Sequence, residues 1–238
     1  MPKEDVKPAA LRRLLDSGAT ERQLQLYIRR HPWILYWTLC PASGHSRYTL
    51  PGFPLGARYK TDFAILNSYS GAYEVTFVEF EPPADQAFTK AGTPSKRLAG
   101  AIKQIDDWRA FFGSNQVEVR HTLKDWATRK DVLGYSKSAP FNYAAQDFLD
   151  PATPLLDHYL VVIGRSTEQL SAIRSLAGRF GEGHDLRIMS YDRLLHLAEQ
   201  RYGPGKNTPG QLPNIQMEPT RQSGCAIMPM RRTAHLNR

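Results

Sequence analysis

The chain changes its hydrophobic period several times, and each change marks an expected element. Leu24, Tyr27 and Ile28 recur at helical spacing behind Thr20-Glu21-Arg22-Gln23, where Thr20 suits an N-cap and Gln23 the reciprocal capping-box position. His31-Pro32 closes that helix, because the residue before a proline is driven out of the helical region. A short helical stretch is expected at Ala9–Asp16, inside a lead-in of residues 1–19, and Trp33, Ile34 and Leu35 read as an apolar anchor. Residues 41–57, rich in Gly and Pro, read as loop with one short strand at Tyr48–Leu50. The period then shortens to two. Thr61–Leu66 sets Asp62, Ala64 and Leu66 on one face and Phe63 and Ile65 on the other. Glu74–Glu81 sets Val78 and Phe80 against Phe77, Glu79 and Glu81, and the Ser- and Gly-bearing stretch Asn67–Ala72 joins the two strands as a hairpin.

Pro82-Pro83 ends the second strand, and a loop of about a dozen residues leads to Thr93-Pro94, which reads as an N-cap and first helical position. Leu98, Ala101, Ile102, Ile105, Trp108 and Phe112 form the stripe of the following helix, with Gly113 as its expected stop. Residues 115–157 keep no clear period and read as an elaboration of the substrate face or a subdomain. Tyr159–Gly164 is apolar throughout, as suits a strand buried on both faces. A helix at Thr167–Phe180, a strand at Leu186–Ser190 and a helix at Tyr191–Gln200, with Asp192 as its N-cap, complete a βαβ unit with a parallel pair. The expected fold is α/β, a mixed central sheet flanked by helices, in one domain over residues 20–200. Beyond Gly203 periodicity vanishes, and residues 201–238 are expected to be a disordered basic tail.

Composition narrows the class. The 238 residues are 41% hydrophobic and 11% aromatic with a mean hydropathy of −0.47, which excludes wholesale disorder. The apolar run Trp33–Cys40 is far short of the roughly 20 residues a membrane span needs. The opening MPKEDVKPAALRRLL has no apolar core, so no secretory signal is expected. Cys40 and Cys225 are the two cysteines, too few for a disulfide framework or a Cys-rich zinc site, and a reducing cytoplasmic setting is expected. Of the net charge of +8, the stretch from residue 201 carries +5, leaving a body that is only mildly basic.

The chemistry gathers on the hairpin. Asp62 lies on its first strand, and Glu79 and Glu81, two residues apart, share a face of the second. Carboxylates on an apolar strand cost free energy when buried without a partner. Either they lie exposed at a strand end, or a cation offsets them, and Mg²⁺ or Mn²⁺ suits hard oxygen ligands from neighbouring strands. Gln104 borders the apolar stripe of the next helix, an odd place for an amide unless it meets a polar partner. Taken by itself, Glu21 reads as a surface acid favoured by its own helix dipole.

In this order, Asp62, Glu79-Phe80-Glu81 and Gln104 resemble the PD-(D/E)XK nuclease core, the restriction-endonuclease-like fold. More specifically, ERQLQLYIRRHPWIL, YKTDFAIL, VTFVEFEPPADQAFTKAGTPSKRLAGAIKQIDDWRAFF, YLVVIGR and LRIMSYDRLL resemble the Shedu-type immune nuclease domain. The resemblance implies a metal-dependent DNA endonuclease of bacterial anti-phage defence, often a homo-oligomer. It implies Asp62 and Glu79 as metal ligands, Gln104 as an active-site helix residue, and Glu21 as a first-helix acid lining the site. The chain departs from the pattern where Glu81 replaces the usual Lys, which leaves Glu81 as a variant ligand or base and Lys60, two residues before Asp62 and so expected on the same strand face, as a substitute cation, with Lys103 expected to point away. That departure also keeps open a catalytically inactive nuclease-fold module that binds nucleic acid or a partner protein. Lys90, Lys96 and Arg97 are expected to hold flanking phosphates.

Overall fold

The computed structural model describes residues 8–39, 46–69, 72–129, 133–136, 142–143, 146–165 and 186–202. Helices α1 (Pro8–Asp16), α2 (Glu21–Arg30) and α3 (Trp33–Thr38) open the chain. The Thr20–Gln23 capping box forms in both directions at the start of α2, and His31 is its C-cap. The expected apolar anchor at Trp33 is the short helix α3, whose Ile34 and Leu35 are fully buried.

Strands β1 (Ser46–Pro51), β4 (Phe63–Tyr69), β5 (Ala72–Phe80), β6 (Leu133–Ser136), β9 (Leu155–Val162) and β10 (Leu186–Met189) build one mixed sheet in the order β10-β9-β5-β4-β1-β6. Two small ladders lie apart from it, β2 (Pro54–Leu55) with β3 (Tyr59–Lys60), and β7 (Asn142–Tyr143) with β8 (Gln146–Asp147). β4 and β5 form the expected antiparallel hairpin, while β5, β9 and β10 run parallel. The alternation read from the sequence sorts the two faces correctly. Ala64, Leu66, Phe77, Tyr159 and Val161 pack beneath helices α4 (Lys96–Ser114) and α5 (Gln116–Ala127). Phe63, Ile65, Val78, Phe80, Leu160 and Val162 pack beneath α1, α2, α3 and α6 (Tyr191–Tyr202). Burying a side chain of this size contributes about 1.5–3 kcal/mol, so the central strands fix the register: a one-residue slip would exchange both faces.

Several expected boundaries shift. β5 ends at Phe80, although the Glu81 amide still donates to the Val162 carbonyl at 2.8 Å. The helix expected to start at Thr93-Pro94 starts two residues later, because Ser95 Oγ accepts from the Leu98 amide and Pro94 instead bridges to Phe88. Gly113 does not stop α4, which runs to Ser114 with Asn115 as its C-cap. Ser190, not Asp192, caps α6, its Oγ accepting from the Arg193 amide at 3.1 Å, while Asp192 binds Arg165. Lys60 does not share a strand with Asp62; it lies on β3. Residues 115–157 supply α5, whose Val119, Leu123 and Ala127 enter the core, and the edge strand β6 against β1. The helix expected at Thr167–Phe180 and the tail beyond Gly203 lie outside the described residues.

At the end of β9, Gly164 takes φ +68°, and a Cβ there would sit 2.5 Å from the Asp85 carbonyl oxygen. Glycine is required on both counts. The loop after β5 is thereby seated on the parallel pair. Among the described residues, no helix is long and apolar enough to cross a membrane.

Candidate active site

Asp62 stands one residue before β4, and the ladder that pairs Phe63 with Val78 sets it across from Glu79. Its amide donates to the Val78 carbonyl at 3.2 Å, and its Oδ2 accepts from the Phe80 amide at 2.8 Å. The side chain is therefore folded back over the end of β5. Glu79 projects to the face covered by α4, where Gln104 Nε2 donates to its Oε1 at 3.0 Å. Gln104 thus has the polar partner that its place beside the apolar stripe called for. Glu81, 8% exposed, follows just past the strand, with Oε2 3.5 Å from Arg97 Nε. The same Arg97 nitrogen lies 3.2 Å from Asp85 Oδ2.

Burial pushes the Glu79 carboxyl up to about 9, with the Asp62 and Glu81 charges adding to the effect and Gln104 opposing it. Burial likewise raises Asp62 to about 6; the Phe80 amide opposes this, and the Glu21 charge adds to it. Glu81 is raised to about 7 by burial, against the pull of Arg97, with Glu21, Asp85 and Asp62 pushing further. Glu21 itself is raised, first by burial and then by Asp85, with Arg97 opposing. Five acids from α2, the hairpin and the following loop therefore form one electrostatic cluster, and each resists the ionisation of its neighbours.

Glu21 is half-buried at this cluster, where the resemblance implies it, rather than the exposed surface acid its helix position alone suggests. Gln25, four residues on and so on the same helix face, donates to Glu21 Oε1 at 3.0 Å and also bonds Asp62. Tyr191, at the start of α6, donates from its hydroxyl to the Glu81 carbonyl at 2.8 Å, and burial together with the acids raises its own pKa. Gln25, Asp85 and Tyr191 went unnoticed in the sequence as neighbours of these acids. Gln25 had a readable signal in its spacing from Glu21; Asp85, in an aperiodic loop, had none.

The basic residues divide. Arg97 is held by two acids. Lys90 and Lys96 are exposed, Lys90 in the turn closed by Thr89 and Thr93, Lys96 in the first turn of α4. Lys60 is exposed on β3, its Cε 3.0 Å from where a Cβ of Gly52 would lie and an Arg29 guanidinium nitrogen 3.5 Å from that point. With Gln104 it lines an open cleft of about 380 Å³ beside α4. Lys103, expected to point away, lines the same cleft.

The donor set is of hard oxygens crowded at one strand end, which is the chemistry a divalent cation would relieve. Among the described residues, no three His, Cys, Asp or Glu side chains converge closely enough to hold an ion as they stand. Asp62 is turned onto the Phe80 amide, Glu79 onto Gln104 and Glu81 onto Arg97. Asp62 and Glu79 face each other across the end of the hairpin, and Glu81 is drawn aside by Arg97.

No curated protein matches the chain. The family model described as Shedu protein SduA, C-terminal, matches residues 18–195, a span that takes in Glu21, Asp62, Glu79, Glu81 and Gln104. Most of the chain, including every element of the acidic cluster, falls within that match, and the chain belongs to the Shedu family of anti-phage defence proteins.

Proposed function

We propose that this protein is a Mg²⁺- or Mn²⁺-dependent DNA endonuclease of anti-phage defence, cytoplasmic and homo-oligomeric, built on a PD-(D/E)XK-type core. The observation that carries the reading is the strained charge of the cluster. Glu79 is held up to about 9 by burial and by the Asp62 and Glu81 charges, with a lone amide donor to offset them. Buried like charges without a counterion are costly, and perturbed carboxyls of this kind concentrate where chemistry is done.

In this reading Asp62 and Glu79 hold the metal. When bound, the ion supplies Lewis-acid polarisation of the scissile phosphodiester and lowers the pKa of the attacking water. Gln104 fixes the Glu79 carboxylate, so that its free oxygen keeps one direction. Glu81, raised to about 7, is poised near neutral pH to take the proton of the attacking water. Lys60, on the wall of the adjoining cleft, offers the positive charge that Glu81 cannot supply at its own position. Arg97 bridges Glu81 and Asp85, which limits the charge the cluster must bear without metal.

A second reading, a catalytically silent module that binds nucleic acid or a partner protein, is favoured by one observation: Glu81 stands where the nuclease pattern places Lys and is paired to Arg97. Plasmid cleavage with Mg²⁺ or Mn²⁺ decides between them. The endonuclease reading expects cleavage by the wild type and its loss in Asp62→Ala and Glu79→Ala. Equal cleavage by all three defeats the site. A wild type that cuts nothing but retards DNA in a gel at moderate salt establishes the second reading.

A further inference from the structure

The cleft beside α4 is lined by Arg58, Tyr59, Lys60, Gly100, Lys103 and Gln104, with Asp107 and Trp108 behind them. Gln104 is also the donor to Glu79, so one side chain borders both the cleft and the acidic cluster. A second hollow of about 440 Å³ shares Arg58, Tyr59 and Asp107 and continues along α4 to Phe111 and Asn115. Tyr59 stands between the two, braced edge-on by Phe111 at 6.1 Å between ring centroids. Arg58 holds its guanidinium 6.0 Å from the Tyr59 ring, and neither Arg58 nor Lys60 has an acidic partner among the described residues. Lys103 has only an exposed pairing with Asp107 at 3.5 Å.

Gly100 is a second feature of the cleft wall. It sits inside α4, where glycine is unfavourable, yet a Cβ there would meet nothing within 4 Å. Packing within the chain does not demand its small size, and it lines the cleft as an exposed position without a side chain.

We infer that this groove takes an unpaired stretch of the DNA strand, phosphates on Arg58, Lys60 and Lys103 and bases against Tyr59, and leads it to Glu79. Cations that track a backbone and an aromatic platform that accepts any base are the pairing that recognises single strands. Each hollow is at the small end of ligand pockets, about 300–1,000 Å³, room for a nucleotide but not for a duplex. The inference rests on the DNA reading of the site and deepens it by naming the form of the substrate.

The test is fluorescence anisotropy of a labelled ten-nucleotide oligo(dT) in EDTA, with a duplex of equal length and dTMP as competitors. The wild type is expected to prefer the single strand, with dTMP competing weakly. Tyr59→Ala should weaken binding about tenfold or more, and Tyr59→Phe should retain it. Arg58→Glu with Lys103→Glu should flatten the salt dependence by about 0.7 in log–log slope per lost phosphate contact. Gly100→Leu, which replaces a poor helix former by a good one and so keeps the fold, should fill the groove and also cost tenfold. Wild-type affinity in both Gly100→Leu and the charge-reversed variant overturns the inference, as does a duplex or dTMP that binds as tightly as the oligonucleotide. If the wild type shows the expected pattern in EDTA but cuts nothing with either metal, the groove is supported and the nuclease reading alone fails. If it cuts while the groove variants bind unchanged, the groove alone fails.

Discussion

Two charged side chains of this molecule, Arg120 and Glu79, are treated in opposite ways. Arg120, on α5, is 2% exposed, and its guanidinium donates to the Phe148 carbonyl at 2.6 Å and to the Thr153 carbonyl, with the Phe148 ring 5.6 Å from its Cζ. It ties the segment before β9 to the helix, and its charge is satisfied where it stands. Glu79 is covered by neighbouring elements as well, yet its neighbours are Asp62 and Glu81, and Gln104 is the one donor that opposes them. Arg120 comes with its partners; Glu79, in the proposed site, is left wanting one. The contrast supports the proposed site without appeal to any motif.

The comparison can be broken most decisively at Glu79. Glu79→Gln is expected to reduce metal-dependent cleavage by at least about 10³-fold, the scale of losing a ligand that contributes several kcal/mol to the transition state, while raising the melting temperature of the metal-free protein. A variant that cuts normally ends the assignment. Arg120→Met should act in the other direction. Two buried carbonyls lose their donor at about 1–3 kcal/mol each, so chemical denaturation should show a loss of about 3 kcal/mol. Its cleavage rate per folded molecule should be unchanged. If the two substitutions shift stability with the same sign, the distinction drawn here is wrong.

A subtler effect follows from protons. In the unfolded chain Glu79 releases its proton near 4.5, while in the fold it keeps it until about 9. Between those values the unfolded state binds fewer protons, so stability falls as pH rises. Thermal melts of the metal-free protein should drop from pH 6 to pH 9, Mg²⁺ should restore the loss, and Glu79→Gln should flatten the curve. A flat wild-type profile would contradict the crowding of these acids. Smallest is the cap of α4: Ser95→Ala should cost about 1 kcal/mol, or roughly 2–4 °C in a protein of this size, and Thr93→Ala less.

That last pair shows where the sequence was readable. Both Thr93-Pro94 and Ser95 carry helix-start signals, and local rules cannot choose between them, because the choice falls to a bridge between Pro94 and Phe88. The strand alternation was legible because burial on two faces writes a period of two into the residues, and it placed Glu79 on the second strand, while Asp62 and Glu81 fall one residue outside the strands expected to carry them. Gln104 was legible as an amide out of place. Glu21 was not, since its helix reveals its own dipole but not the strands it packs against. Lys60 was misplaced by one assumption, that Thr61 continues the strand; β3 instead pairs back on β2, which turns the lysine toward the cleft. The edge strand β6 joins β1 through a pairing more than eighty residues apart in the chain, for which no local pattern exists.

The close approach of Gly164 to the Asp85 carbonyl has a consequence for how the acids can rearrange. Asp85 is anchored through its main chain, and Arg97 reaches across to it. Drawing Glu81 inward toward Asp62 and Glu79 therefore means breaking its 3.5 Å pairing with Arg97.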